Sequence, residues 1–223
     1  MTPVLPAGCV IALIGAESTG KTELALALAT RLQQRGVTTT LVAEYLREWC
    51  EREGRTPRPH EQAAIADEQT RRIADAAAQG VVVADTTALM TAVYSDLLFD
   101  DHSLYASALA AQRGYALTLL TALDLPWVAD GLQRDGPHVR EPVDARVRAA
   151  LAGAGLGYAV VHGSGEERLA NAWNAINSIA SSEDAAGAAV RSGTGGGWRW
   201  PCDKCSDPAC EHRLFSDLLA RRP

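Results

Sequence analysis

The chain has 223 residues and a mass of 23.6 kDa, with 21 Lys plus Arg against 27 Asp plus Glu, a net charge of −6 and a pI near 5.4. The acidic balance argues against a general nucleic-acid or membrane-surface binder, an apolar fraction of 47% is too high for a disordered chain, and no apolar run approaches the roughly 18 residues that a membrane span needs. The length suits one ordinary domain with an appendage, and with 40 alanines and only 5% aromatic residues its apolar content rests largely on a small side chain.

In chain order, Met1 to Ile14 is apolar but lacks the basic start of a secretory leader, which points to a cytoplasmic protein. Within it, Cys9 to Ile14 reads as a buried strand. Lys21 to Arg35 reads as a helix closed by Gly36, Val37 to Ala43 as a β-branched second strand, and Glu44 to Arg52 as a second helix. Thr56 to Pro59 is a proline-bearing loop. His60 to Gln79 follows as a helix with apolar positions at Ala63, Ala64, Ala74 and Ala78. Val81 to Ala84 is continuously apolar, as a parallel strand buried on both faces should be. Thr87 to Leu98 and His102 to Arg113 are helical, and Ala116 to Thr121 is a fourth strand. Asp130 to Pro142 is a polar surface loop. Val143 to Leu151 is a helix, Tyr158 to Val161 a fifth strand and Glu166 to Ile179 a last helix. Strands alternating with helices predict an α/β fold, a parallel sheet with helices on both faces. Its ligands belong outside the carboxyl ends of the strands.

Gly15-Ala16-Glu17-Ser18-Thr19-Gly20-Lys21-Thr22 fits the P-loop pattern G-x-x-x-x-G-K-[ST], with an apolar strand before it and a helix after it. Such a loop turns successive backbone N–H groups inward around phosphates, and the helix N-terminus adds its dipole. Lys21 is placed to reach the β- and γ-phosphates of ATP, and the Thr22 hydroxyl to ligate Mg²⁺. Asp85 ends the third strand, where a carboxylate either holds the Mg²⁺ shell or caps the following helix. Glu44 follows the second strand and is a candidate to take a proton from an acceptor hydroxyl or fix a ribose. Arg47, one turn on, is a candidate phosphate ligand or a partner of Glu44 or Glu48. Arg134 and Arg140 fall in the polar loop, as a phosphoryl-transfer lid requires. The adenine is expected near His162 to Gly165, with Arg168 beside it.

Together, the Gly15 to Thr22 motif, Glu44-Tyr45-Leu-Arg47-Glu48, Val83-Ala-Asp85 and Leu125-Pro-Trp127-Val-Ala-Asp130-Gly131 with Arg134 resemble the NadR-type ribosylnicotinamide kinase family over roughly residues 10–179. The resemblance implies a nucleoside-kinase-like P-loop NTPase fold and ATP-dependent phosphorylation of a small nucleoside, nicotinamide riboside, to nicotinamide mononucleotide. It implies Lys21 and Thr22 at the nucleotide, Glu44, Tyr45, Arg47, Asp85, Trp127 and Asp130 on the acceptor and Mg²⁺ side, and Arg134 in the lid. One departure concerns the acceptor. The family carries an aromatic residue directly before the Glu-Tyr pair, to stack the nicotinamide ring; here it is Ala43. The third helix offers Gln69-Thr-Arg-Arg72 where a second ring is expected. Trp49 and Trp127 are the candidate substitutes. The alternatives are a kinase for another nucleoside or hydroxyl metabolite, or a nucleotide-dependent switch.

Residues 181–197 are rich in Ala, Ser and Gly and read as a linker between a kinase domain, residues 1–180, and a tail, residues 198–223. The tail holds Cys202, Cys205, Cys210 and His212 in a C-x₂-C-x₄-C-x-H spacing, a closed ligand set suited to structural Zn²⁺. Its Phe215, Leu218 and Leu219 suit an amphipathic helix that docks on the kinase domain or on a partner protein. Neither a membrane nor a nucleic-acid partner is expected.

Overall fold

A computed structural model describes residues 3–128 and 136–192, with side chains as far as residue 180. The elements run β1 (Val10–Ile14), α1 (Lys21–Gln34), β2 (Thr39–Val42), α2 (Tyr45–Glu53), α3 (Gln62–Ala77), β3 (Val81–Asp85), α4 (Ala88–Phe99), α5 (Tyr105–Arg113), β4 (Leu117–Thr121), α6 (Arg140–Gly153), β5 (Ala159–Val161) and α7 (Gly165–Ser192). The strands form one five-stranded sheet, every pairing parallel, in the order β2-β3-β1-β4-β5.

The central strand explains the layering. All of β1 is buried, and its alternate residues serve opposite faces of the sheet. Ile11 and Leu13 pack with Leu24, Leu28 and Leu32 of α1 and with Ile176 of α7. Ile14 packs on the other face with α4 and α6, through residues such as Leu89, Val143 and Val147. Val10 meets Ile73 of α3 on that same face. Each fully buried Leu or Ile contributes roughly 1.5–3 kcal/mol relative to exposure, so the four-residue spacing of Leu24, Leu28 and Leu32 fixes α1 on the sheet.

Three expectations are corrected. Ala63, Ala64, Ala74 and Ala78 are exposed; α3 instead buries Ile65, Ala66, Gln69, Ile73 and Ala76. The branched side chains remove more apolar surface than alanine does, and they decide which face turns inward. The loop expected to reach Pro142 ends earlier, because a turn at Pro137–Val139 leads directly into α6, whose first residue is Arg140. Pro142 is tolerated there because a proline in the first helical turn gives up no intrahelical hydrogen bond. Finally, α7 continues to Ser192 through part of the expected linker. That stretch carries Ala185, Ala186, Ala188 and Ala189, and alanine has the highest helix propensity. Asp130, Arg134, the Gly193–Gly197 run and the Cys202, Cys205, Cys210 and His212 set lie outside the described residues.

The register sets up the site. Leu13 pairs with Asp85, Ile14 with Leu120 and Val42 with Ala84, so the chain leaves β1, β3 and β2 at one edge. There β1 has one neighbour on each side, and connections diverge: the switch point where such sheets bind ligands. Among the described residues no helix is long and apolar enough to cross a membrane.

Candidate active site

The loop after β1 is held in shape by its neighbours. Gly15 has φ +143°, and a Cβ there would stand 2.2 Å from Thr121 Oγ1, so only glycine permits this approach to the end of β4. Thr121 Oγ1 lies 3.2 Å from the Ile14 carbonyl and 2.7 Å from Thr19 Oγ1, and Thr19 in turn donates to the Ala16 carbonyl at 2.8 Å. Ser18 stands at φ +53°, and Gly20 caps α1 at φ +72° with no side-chain cap bond. The first-turn N–H groups of the 14-residue α1 are therefore left for a ligand, on a positive helix end. Lys21 Nζ folds over the loop and donates to the Ala16 carbonyl at 2.8 Å. Ala16, Glu17 and Thr19 are buried, while Thr22 is exposed on the first turn of α1.

Arg168 does not stand free beside an adenine site. Its guanidinium is buried and donates to the Thr19 carbonyl at 2.7 Å, the Gly163 carbonyl at 2.7 Å and Asp124 at 2.9 Å. Asp124 also accepts from the Gly163 N–H at 2.6 Å. Arg168 thus braces the P-loop from behind. Burial, the largest single influence, pushes the Asp124 carboxyl up, but the hydrogen bonds and charge of Arg168 and the Gly163 N–H together hold it below its ordinary range.

At the end of β3, Asp85 is buried, and its Oδ1 has no hydrogen-bond partner among the described residues. The helix cap is Thr87, so Asp85 does not serve as one. Between them Thr86 sits at φ +73°, costly for a β-branched residue, with its hydroxyl buried and unpartnered. A pair of buried polar atoms left open beside a phosphate-binding loop fits a hydrated cation.

At the end of β2, Glu44 is the N-cap of α2, and its Oε2 lies 3.9 Å from Arg47 Nε. Gln69 fixes this corner. Buried on α3, it accepts from the Tyr45 N–H at 2.8 Å and donates to the carbonyls of Ala43 at 3.3 Å and Thr86 at 3.4 Å. The two glutamines, Gln62 and Gln69, on the otherwise apolar buried face of α3 were the available signal, since buried amides are kept only where they are bonded. Tyr45 does not face the site; its ring lies under the Arg72 guanidinium, 4.3 Å away.

These elements enclose one cleft of about 1040 Å³. The P-loop from Gly15 to Thr22, except Ala16, forms one side, and Glu44, Arg47 and Thr86 another. Met90, Tyr94, Leu98 and Phe99 come from α4, and Leu125, Pro126 and Val128 from the segment after β4, where the Val128 N–H donates to Ser18 Oγ at 2.8 Å. The remaining wall is the Thr56–Pro59 loop with Gln62. That loop is stapled by Arg55, which binds Glu61 through two 2.7 Å bonds and lies 4.9 Å over the Trp49 ring. Glu61 also accepts from the Arg58 N–H at 2.7 Å, and these bonds hold its carboxyl down at about 2. The size exceeds that of most single-ligand pockets, which suits two substrates side by side.

Trp49 is buried against Ile65, and Trp127 does not line the cleft, so neither substitutes for a ring at exposed Ala43. Arg140 is buried at the start of α6, its Nε and Nη2 have no partner among the described residues, and it does not line the cleft either.

The family described as an AAA domain matches residues 10–168. Among solved structures, the NadR protein in complex with NR superposes with a TM-score of 0.63 at 22% identity, over 78% of this chain and 52% of that one. The NadR protein in complex with NAD and AMP-PNP gives 0.59 at 21% identity, over 78% and 49%. At these identities the likeness is one of fold, and the chain spans about half the length of the NadR chains it matches. A comparison with curated proteins finds no match.

Proposed function

The chain belongs to the AAA domain family, and from that premise we propose that it is an ATP- and Mg²⁺-dependent cytoplasmic kinase acting on a small nucleoside-like acceptor, with nicotinamide riboside the leading candidate and nicotinamide mononucleotide its product. The observation that carries this reading is the cleft in which the P-loop faces Glu44, Arg47 and Thr86, the residue that follows β3. The NadR structures bound to NR and to AMP-PNP, which share the fold, support the same choice.

In this reading the acceptor hydroxyl attacks the γ-phosphorus of ATP. The new O–P bond forms as the bond to the bridging β–γ oxygen breaks, and ADP leaves. Glu44 or Asp85 orients the hydroxyl and takes its proton. Lys21 leaves the Ala16 carbonyl for the β- and γ-phosphates, and Arg47 steadies charge from the acceptor side. Mg²⁺, when bound, neutralises phosphate charge; Asp85 and Thr22 are the residues to hold it. Arg134, within the segment assigned as the lid, is the arginine left to offset charge on the transferring phosphoryl group, because Arg140 is buried at the start of α6 outside the cleft lining. Arg168 keeps the loop in shape behind the nucleotide.

Ala43 favours a second reading, a kinase for a different nucleoside or hydroxyl metabolite, because no ring stands at that corner. We assign residues 198–223 to a separate Zn²⁺-binding unit through Cys202, Cys205, Cys210 and His212. About one equivalent of zinc in the reduced protein is expected, and less than about half an equivalent would remove this assignment.

A panel of ribosides and deoxynucleosides, assayed with ATP and Mg²⁺, tests the kinase reading. Lys21→Ala should lower kcat by about 10²–10³ on whichever acceptor is used. Tight ATP binding without turnover of any acceptor would replace the kinase with a nucleotide-dependent switch.

A further inference from the structure

We infer that α4 supplies the wall on which the acceptor's flat ring lies, and that Tyr94 is its specificity-determining residue; the inference rests on the kinase reading above for the identity of the acceptor.

Three observations lead there. Met90, Tyr94 and Leu98 recur every four residues, which puts them in one stripe of the helix, and all three line the cleft together with Phe99. Leu89, Ala92 and Val93 are buried in the core together with Met90, and the helix packs on α3, α5 and α6. Beyond the buried Met90, the half-buried Tyr94 and the exposed Leu98 are the part of the stripe that faces the ligand space. Leu98, at the end of the stripe, is 50% exposed.

The second observation is position. α4 leaves β3, which lies on the β2 side of the P-loop strand, whereas the Arg168 brace and the His162–Gly165 turn lie on the β4–β5 side. The stripe thus starts in the half of the cleft that holds Glu44 and Arg47, from the end of β3. The third is contrast. The wall from α2 carries a carboxylate and a guanidinium beside Leu46 and Cys50, and the wall from α4 carries no charge, only a phenol, a thioether, a leucine and the phenyl of Phe99. An acceptor that satisfies both has a hydroxylated body on one side and a flat apolar ring on the other. With Ala43 offering no ring, Trp49 packed on Ile65 and Trp127 outside the cleft lining, Tyr94 is the aromatic side chain on this stripe, and Phe99 follows at the end of the helix.

The test compares a ring-bearing riboside, nicotinamide riboside or an aromatic nucleoside, with the methyl riboside of the same sugar. Wild type, Tyr94→Ala, Tyr94→Phe and Leu98→Ala are assayed kinetically and by calorimetric titration of each acceptor onto the full-length protein. Tyr94→Ala should raise KM and Kd for the ring-bearing acceptor about tenfold, with the KM for ATP and the response to the methyl riboside unchanged. Tyr94→Phe should stay within about twofold, because the ring face is retained. Should Tyr94→Ala fail to fold, Leu98→Ala reads the same stripe from its exposed end and should weaken the ring-bearing acceptor selectively. Equal losses on the methyl riboside or on ATP, or no loss on the ring-bearing acceptor, overturn the inference. So does a wild-type protein that binds no ring-bearing riboside. If such a riboside binds and weakens in the variants but is never phosphorylated, the α4 wall stands and the kinase reading falls.

Discussion

Arg168 on α7 donates through Nη2 to the backbone carbonyl of Thr19, in the middle of the P-loop, at 2.7 Å. The same guanidinium reaches Asp124 and the Gly163 carbonyl, so three segments distant in sequence are pinned by one buried side chain. Replacing it with Met keeps the apolar stem and removes every donor. The carbonyls lose their partners and Asp124 loses its counter-charge. Breaking a buried pair typically costs about 3–5 kcal/mol. Asp124 is one-third exposed, so water recovers part of this, and about 2–3 kcal/mol is the expected loss. Urea unfolding of Arg168→Met reads it directly. The KM for ATP should rise as well, since the loop loses its brace; a variant as stable as wild type would deny Arg168 this role.

Gln69 makes a second link of this kind, between the ends of β2 and β3. It thereby sets the relation between Glu44 and Asp85, the two carboxylates assigned to the acceptor hydroxyl. Gln69→Leu keeps the volume and removes the partner of the Thr86 and Ala43 carbonyls and of the Tyr45 N–H, at about 1–3 kcal/mol. Activity should suffer in kcat on the acceptor, with the KM for ATP little changed, because the P-loop is held by other bonds. A kcat equal to that of wild type in a stably folded Gln69→Leu would mean that the two corners do not need this tie.

The sequence carried the P-loop and the strand order of burial in plain form, because β1 and β3 are continuous apolar runs and the glycine spacing of Gly15 and Gly20 answers a backbone requirement. The α3 face was misread because four alanines were weighed as heavily as Ile65 and Ile73. Arg168 appeared near the nucleotide in chain order, yet its role depends on Thr19 and Asp124, which no local spacing connects. The strain at Thr86 and the open Oδ1 of Asp85 are likewise invisible until β3 is laid beside β1. The α4 stripe was hidden for a different reason: Ala88 to Phe99 is apolar on nearly every side, so its pattern cannot announce which residues meet the cleft.

Asp85 Oδ1 is buried and unpartnered beside the P-loop, and this makes a sharp prediction. Asp85→Asn is nearly isosteric and removes the charge. Phosphoryl transfer should fall by about 10²-fold or more, and the Mg²⁺ concentration for half-maximal activity should rise. Stability without Mg²⁺ should hold or improve, since an uncompensated buried charge has been removed. A Mg²⁺ titration of activity alongside thermal unfolding separates these effects. An unchanged Mg²⁺ requirement would pass the metal-holding role away from β3.

Glu61 gives the pH dependence. Its carboxyl is held at about 2, first by the Arg55 guanidinium and then by the Arg58 N–H, against an ordinary glutamate value near 4.3 in the unfolded chain. A depressed folded value means that the unfolded state takes up the proton first as the pH falls. The stabilisation is therefore fully present above about pH 4.5 and is lost as the pH drops through the folded value. Glu61→Gln cannot contribute it at any pH. The gap in unfolding midpoint between wild type and Glu61→Gln should be widest near pH 7, narrow below pH 4.5 and close towards pH 2. Glu68, held at about 2 by Arg71 and Arg72, titrates in both proteins and cancels in the difference. Because Arg55, Glu61 and the Arg58 N–H together shape the Thr56–Pro59 wall of the cleft, Glu61→Gln should also raise the acceptor KM at neutral pH while leaving that for ATP in place. A gap that stays constant from pH 7 to pH 2.5 would show that the ion pair does not govern that wall.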